Sequence, residues 1–214
     1  MSEDPALRTW REHIERELQR APHDRHHPWR TPSLATVDGQ GGPQSRTVVL
    51  RAADPGTTTL RVYTDRRSPK VHEIARQPRV ALLFWNPRSS LQLRIQATAQ
   101  VFTQGPEVES AWARMAQSPS RGDYLSECAP GDPAQAGDPA QADALPGSEG
   151  PQHGAAAPAP TPSDLAHHLA IIECRAWVWD ALSLSRDGHR RAAWTFPTAL
   201  SAGFHPTQAR WLTP

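Results

Sequence analysis

The chain has 214 residues, of which 37% are hydrophobic, with 22 Pro and 13 Gly and a formal net charge of +1. That fits a single domain (1–214) with a loop insertion, or two very small ones, and so lean an apolar content makes a core only if part of the chain stays outside it. The longest apolar run, Val80 to Trp85, is too short to span a bilayer, and Met1-Ser2-Glu3-Asp4 opens no apolar signal region, so a cytoplasmic protein with no membrane partner is expected.

Asp4-Pro5 reads as a helix start, and Leu7, Trp10, Ile14 and Leu18 then recur at helical spacing. Ala21 to Thr31 is polar and reads as a connector. Leu34 to Asp38 predicts a short strand, followed by a turn through Gly39-Gln40-Gly41-Gly42-Pro43. Arg46 to Arg51 predicts the next strand, and Asp54-Pro55-Gly56 a turn into a strand from Thr58 to Thr64. Ser68-Pro69 starts a second helix with Val71, Ile74 and Ala75 inward, stopped by Pro78. Val80 to Trp85 predicts a buried strand, and Leu91 to Thr103 a long one after the Asn86-Pro87 turn. Gly105-Pro106 opens a third helix, with Val108, Ala111, Trp112 and Met115 on one side.

From about 129 to 163 the sequence is rich in Pro, Ala and Gly, and Gly-Asp-Pro-Ala-Gln-Ala occurs twice in tandem. This predicts a low-complexity insertion with nothing to bury. Leu169 to Leu184 then suits one long strand or two short ones. Asp187-Gly188 is a hairpin signal, with strands at Arg190 to Phe196 and Gln208 to Leu212. Roughly seven strands and three helices without a βαβ rhythm predict a mainly antiparallel β-barrel with flanking helices.

Cys128 and Cys174 are isolated and fit a reducing compartment. The ten scattered His give no metal-ligand spacing. No dinucleotide loop, phosphate-binding P-loop or nucleophile elbow is present. What stands out is charge. Residues 45 to 94 hold ten Lys or Arg against three acids, a surplus of seven, and Lys70 is the only Lys of the chain. Arg67, Ser68 and Lys70 surround a helix N-terminus, where backbone N–H groups favour a phosphate. Arg46 and Arg51, five apart on one strand, would point to opposite faces. The bland alternative is that these arginines are solvated strand-edge charges, and that the eight Trp are core residues.

Four segments carry a resemblance: Ser45 to Arg51, Tyr63 to Lys70, Pro78 to Phe84 and Leu91 to Arg94. In order and spacing they resemble the motifs of the pyridoxamine 5′-phosphate oxidase family, which are FMN-binding split barrels. The Thr64-Asp65-Arg66-Arg67-Ser68-Pro69-Lys70 form resembles the oxidase-related branch more than the oxidase itself. The resemblance implies that Arg46, Thr47, Val48, Val49 and Arg51 line FMN, with Arg46 on its phosphate. It implies Tyr63 and Thr64 as a second flavin contact, and Ser68 and Lys70 on the phosphate. The family commonly has Arg before that Lys; Pro69 stands there, with Arg67 as a replacement. Gln92 would reach FMN from the other subunit of a homodimer, and Arg191 would be a late basic partner.

The departures concern activity. Arg51 stands where the oxidase has a Lys near its substrate. Trp112, Arg114, Arg121 and Tyr124 do not reproduce the Tyr, Arg and Ser that hold the substrate phosphate there. The resemblance therefore points to an FMN-dependent oxidoreductase acting on a small-molecule substrate of unknown identity. A true pyridoxamine 5′-phosphate oxidase and a non-catalytic flavin- or haem-binding protein are the alternatives. A nucleic-acid-binding barrel is disfavoured, because exposed aromatics are few among the arginines.

Overall fold

The computed structural model describes residues 3–133, 167–185, 188–197 and 205–214. Helix α1 (Pro5–Arg20) begins as the sequence predicts, with the Asp4 carboxylate accepting the Ala6 N–H at 2.8 Å. It buries Leu7, Ile14 and Leu18. The connector that follows is not merely polar. It holds a 3₁₀ turn, Pro28–Arg30, whose Trp29 is fully buried against Phe84, with ring centroids 5.7 Å apart. A single Trp in a polar, Pro-rich stretch has no periodicity to betray its burial.

Strands β1 (Ser33–Val37), β2 (Pro43–Thr47), β3 (Leu50–Asp54) and β4 (Thr59–Asp65) come next. The segment Arg46 to Arg51, expected as one strand, is divided between β2 and β3. After helix α2 (Pro69–Arg76) come β5 (Arg79–Asn86) and β6 (Leu91–Phe102), then helix α3 (Pro106–Met115). Strands β7 (Leu169–Ser183), β8 (Arg190–Thr195) and β9 (Gln208–Leu212) complete the described chain. Gly105, at φ +107, supplies the left-handed residue that turns β6 into α3. The low-complexity stretch from 134 on, and Asp187 of the predicted hairpin turn, lie outside the described residues.

The nine described strands form one antiparallel sheet in the order β2-β1-β5-β6-β7-β4-β3, with β8 on β7 and β9 on β8. The first and last members of that path, β2 and β3, are joined by only Val48 and Val49. Three residue steps reach at most ~11 Å, so the sheet must curl into a barrel. Leu34, Leu50, Val62, Leu82, Phe84, Leu93, Ile95 and Cys174 fill its interior. Strand β5 is not buried on both faces as expected. It alternates, with Leu83 and Trp85 each 41% exposed. The β7 run is one strand, accommodated by a bulge opposite Gln96 and Ala97. Helix α3 packs outside the barrel, where Val108, Trp112 and Met115 meet Ile171 and Tyr63.

Because Trp29 is fully buried in the core against Phe84, Trp29→Ala should lower unfolding free energy by about 3–5 kcal/mol in urea melts. A loss below about 1 kcal/mol would show that the site collapses around the deletion.

Candidate functional site

The inner row of β4 runs Leu60, Val62, Thr64, and its end delivers Thr64 to the start of α2. Ser68 is the residue before that helix and is fully buried, yet its hydroxyl makes no capping bond. The Lys70 amine donates to Ser68 Oγ at 2.6 Å and to Thr64 Oγ1 at 3.1 Å. An ammonium has three donors, so one remains for a ligand. Burial, and then the neighbouring Arg46, hold the Lys70 pKa below its ordinary 10.5 against the pull of Glu73 and Asp65. A bound anion would relieve both effects.

Arg46 reaches the same place from β2. Its guanidinium donates to Thr36 Oγ1 and, at 2.8 Å, to Glu73 Oε2; the Thr36 hydroxyl donates to the same carboxylate oxygen. Glu73 lies one helical turn beyond Lys70 and so faces the same way. Arg46 is 24% exposed at its side chain, held in position but reachable. Sequence reasoning passed over Thr36 and Glu73. The available signal was a polar residue, Thr36, two places after Leu34 on the buried face of a strand.

Arg67 is committed elsewhere. It grips the buried Asp65 with Nε at 3.1 Å and Nη2 at 2.7 Å, and donates to the carbonyls of Ser126, Glu127 and Cys128. Burial pushes the Asp65 carboxyl up, but the side-chain and backbone hydrogen bonds of Arg67 outweigh it and leave the group below the usual range. The expected replacement for the missing arginine is thus tied to a loop rather than presented to the cradle of Lys70, Ser68 and Arg46.

Consecutive strand residues point apart, and so Tyr63 and Thr64 separate. Tyr63 faces outward, where Arg114 Nη2 stands 3.4 Å from its hydroxyl and the Arg51 guanidinium lies 5.7 Å from its ring centre. Arg51 Nε is buried with no hydrogen-bond partner among the described residues. These residues, with Arg61, Glu107 and Ser110, line a groove of about 350 Å³ between β3, β4 and α3. At the end of β2, Thr47 pairs with Ser33; in the link, the Val48 N–H donates to Pro32 O at 3.0 Å and Val49 is half-buried.

Gln92 and Arg191 sit at the other end of the molecule. Gln92, Leu182 and Arg191 form one outward row across β6, β7 and β8, flanked on β5 by Trp85. The Tyr63 row, in contrast, contains Ile171 and Phe102. Ten residues of strand separate Gln92 from Phe102, roughly 30 Å of rise. Arg191 there forks onto Asp180, at 3.0 and 2.8 Å, and Arg94 approaches the same carboxylate at 3.4 Å. One chain therefore gathers Arg46, Thr64, Ser68 and Lys70, sets Arg51 and Tyr63 on an adjoining wall, and leaves Gln92 and Arg191 remote.

The architecture is that of the FMN-binding split barrels. The chain is similar to a pyridoxamine 5′-phosphate oxidase-related, FMN binding protein from Nostoc punctiforme PCC 73102, at TM-score 0.67 and 22% identity, covering 100% of this chain and 99% of that one. PhzG from Burkholderia lata 383, solved with tetrahydrophenazine-1-carboxylic acid, matches at TM-score 0.62 and 16% identity, covering 100% and 98%. Residues 7–103 match the family model described as pyridoxamine 5′-phosphate oxidase, FMN-binding domain. Over that stretch, a little under half of its length, the chain is similar to the pyridoxamine 5′-phosphate oxidase-related FMN-binding family. It is 33% identical over 93 residues to the pyridoxine/pyridoxamine 5′-phosphate oxidase of Anaeromyxobacter dehalogenans, and 38% identical over 68 residues to that of Chromohalobacter salexigens. These matches take in 44% and 32% of this chain, but only 43% and 31% of the relatives' own lengths.

The lowered Lys70 pKa has a measurable sign. Between that pKa and 10.5 the unfolded chain binds more protons than the folded one, so the Lys70 contribution to stability rises with pH in that window. Lys70→Met should be more stable than wild type at neutral pH, and the advantage should shrink as alkaline urea melts approach pH 10.5. A constant difference would mean that Lys70 titrates normally.

Proposed function

We propose that this protein binds FMN and is an FMN-dependent oxidoreductase of small molecules, working as a cytoplasmic homodimer with FMN at the subunit interface. One observation carries the proposal. The sole lysine of the chain is half-buried, bonded to two hydroxyls, and set beside Arg46 at the opening of α2. Such a cradle, with backbone N–H groups and a helix dipole behind it, suits a phosphate monoester. Lys70, Ser68, Thr64 and Arg46 would hold the phosphate, and the wall around Arg51 and Tyr63 would face the flavin. FMN would supply the electron-transfer chemistry, while the protein binds it, orients it and tunes its surroundings. The whole chain, 1–214, would then be one domain with the 129–163 segment inserted in it.

Two facts favour the dimer. Gln92 and Arg191, expected at the flavin, lie too far from Tyr63 to share its site within one chain. The row they occupy also includes the exposed Trp85, with Leu83 beside it on the same face. A second copy laid on that face would cover the apolar side chains and bring the remote pair to the site. The curated relatives favour a second reading, pyridoxamine 5′-phosphate oxidation. Against it, Trp112 is buried and stacked on His167 at 4.5 Å, while Arg114 lines the Tyr63 groove and Tyr124 is buried beside Arg51. Turnover of pyridoxamine 5′-phosphate with release of pyridoxal phosphate would decide for the oxidase.

Freshly purified protein should be yellow, or should take up added FMN. Lys70→Ala and Arg46→Ala should each weaken FMN binding roughly tenfold to a hundredfold, the worth of a charge-assisted hydrogen bond. Folded protein that refuses FMN in a fluorescence titration would end the proposal. For the dimer, Trp85→Glu should shift light-scattering mass from two chains to one; an unchanged mass would place the interface elsewhere.

A further inference from the structure

Resting on the flavin assignment above, we infer that residues 126–132 form a strap across the phosphate end of the site, and that Arg67 is the positioning residue that keeps it closed. The strap leaves the 3₁₀ turn Pro119–Tyr124, which is anchored where the His168 N–H donates to Tyr124 O at 2.8 Å. It then crosses the start of α2. A Cβ built on Gly131 would stand 3.6 Å from Cγ of Pro69, the first residue of that helix and the neighbour of both Ser68 and Lys70. Gly131 has φ +98, so the crossing also needs a residue that tolerates that backbone. A small turn closes the strap, with the Ala129 N–H on Asp132 Oδ2 at 2.8 Å and the Asp132 N–H on Ala129 O at 3.1 Å.

Burial does not hold this segment down. Ser126, Glu127, Cys128, Pro130, Gly131 and Asp132 are all exposed. What does hold it is one guanidinium donating to three successive carbonyls, of Glu127 at 2.9 Å, Ser126 at 2.8 Å and Cys128 at 3.2 Å. That guanidinium is aimed by the buried Asp65, which also accepts the Arg67 backbone N–H at 2.7 Å. Asp65 follows Thr64 directly, so one strand end sets both the cradle and its clasp. With the strap closed, water has less access to the Lys70 side of the cradle, where charge–charge attraction is then less screened. Arg67 therefore acts on the cofactor phosphate through the strap, without touching it.

The test titrates FMN and riboflavin, which lacks the phosphate, into wild type, Arg67→Ala, Asp65→Asn and the double variant. Hydrogen exchange over 126–132 is followed in parallel. Arg67→Ala should lower FMN affinity about tenfold, equivalent to one charge-assisted hydrogen bond, mainly through faster release, and leave riboflavin binding unchanged. Asp65→Asn should lower it in the same direction, the double variant should be no worse than Arg67→Ala, and exchange over the strap should quicken in each. Tighter FMN binding in Asp65→Asn would overturn the inference, because a freed Arg67 would then be gripping the phosphate itself. Equal losses for FMN and riboflavin would overturn it as general damage to the fold, and so would unchanged FMN affinity in Arg67→Ala. Wild type that binds no FMN would instead overturn the flavin assignment, and the strap's role toward a phosphate with it.

Discussion

The barrel is closed covalently by two residues. Val48 and Val49 join the strands that stand at opposite ends of the hydrogen-bonded order, and no ladder between β2 and β3 is needed to keep them near each other. The Val48 N–H fixes the crossing on Pro32, and Val48 and Leu50 turn into the core. Everything about the site follows from this crossing. Arg46 departs before it, toward α2 and Lys70. Arg51 departs after it, toward Tyr63 and α3. A regular strand would have sent the two to opposite faces of one sheet; the crossing sends them to two walls of one closed barrel.

The charge surplus in the central stretch is less free than its count implies. Arg46 is joined to Glu73, Arg61 to Glu173, Arg67 to Asp65, and Arg191 to Asp180. Each carboxylate fixes a guanidinium in one orientation, which suits the planar fork of Arg. Lys70 differs, since its described hydrogen bonds go to hydroxyls rather than to a carboxylate. A compact amine fits between Thr64 and Ser68 where a guanidinium would not, which gives a physical reason for one lysine among 22 arginines. The cradle is thus positive where it is open and neutralised where it is structural.

The outer surface of the β5-β6-β7-β8 ribbon divides along its length. Near Phe102 and Ile171 it is covered by α3. Toward Gln92 it carries Trp85 and Leu83 with the Arg94–Asp180–Arg191 cluster. Two large apolar side chains thus stand exposed beside a cluster of paired charges at that end of the ribbon.

By itself the sequence determined the class of the fold and the place of its buried cationic cluster. Caps and Pro positions located α1, α2 and α3, alternation located most strands, and the solitary lysine after Ser68-Pro69 marked the start of α2 where Lys70 meets Ser68 and Thr64, because these are local signals read within a few residues. Tertiary structure alone decided the rest. The division of the Arg46–Arg51 run, the burial of Trp29 and the exposed face of β5 each depend on what lies across the barrel. So does the assignment of guanidiniums: Arg46 and Arg67 look alike in the chain, and only their distant partners, Thr36 and Glu73 for one and the carbonyls of 126–128 for the other, separate a guanidinium set beside Lys70 from one that fastens a loop.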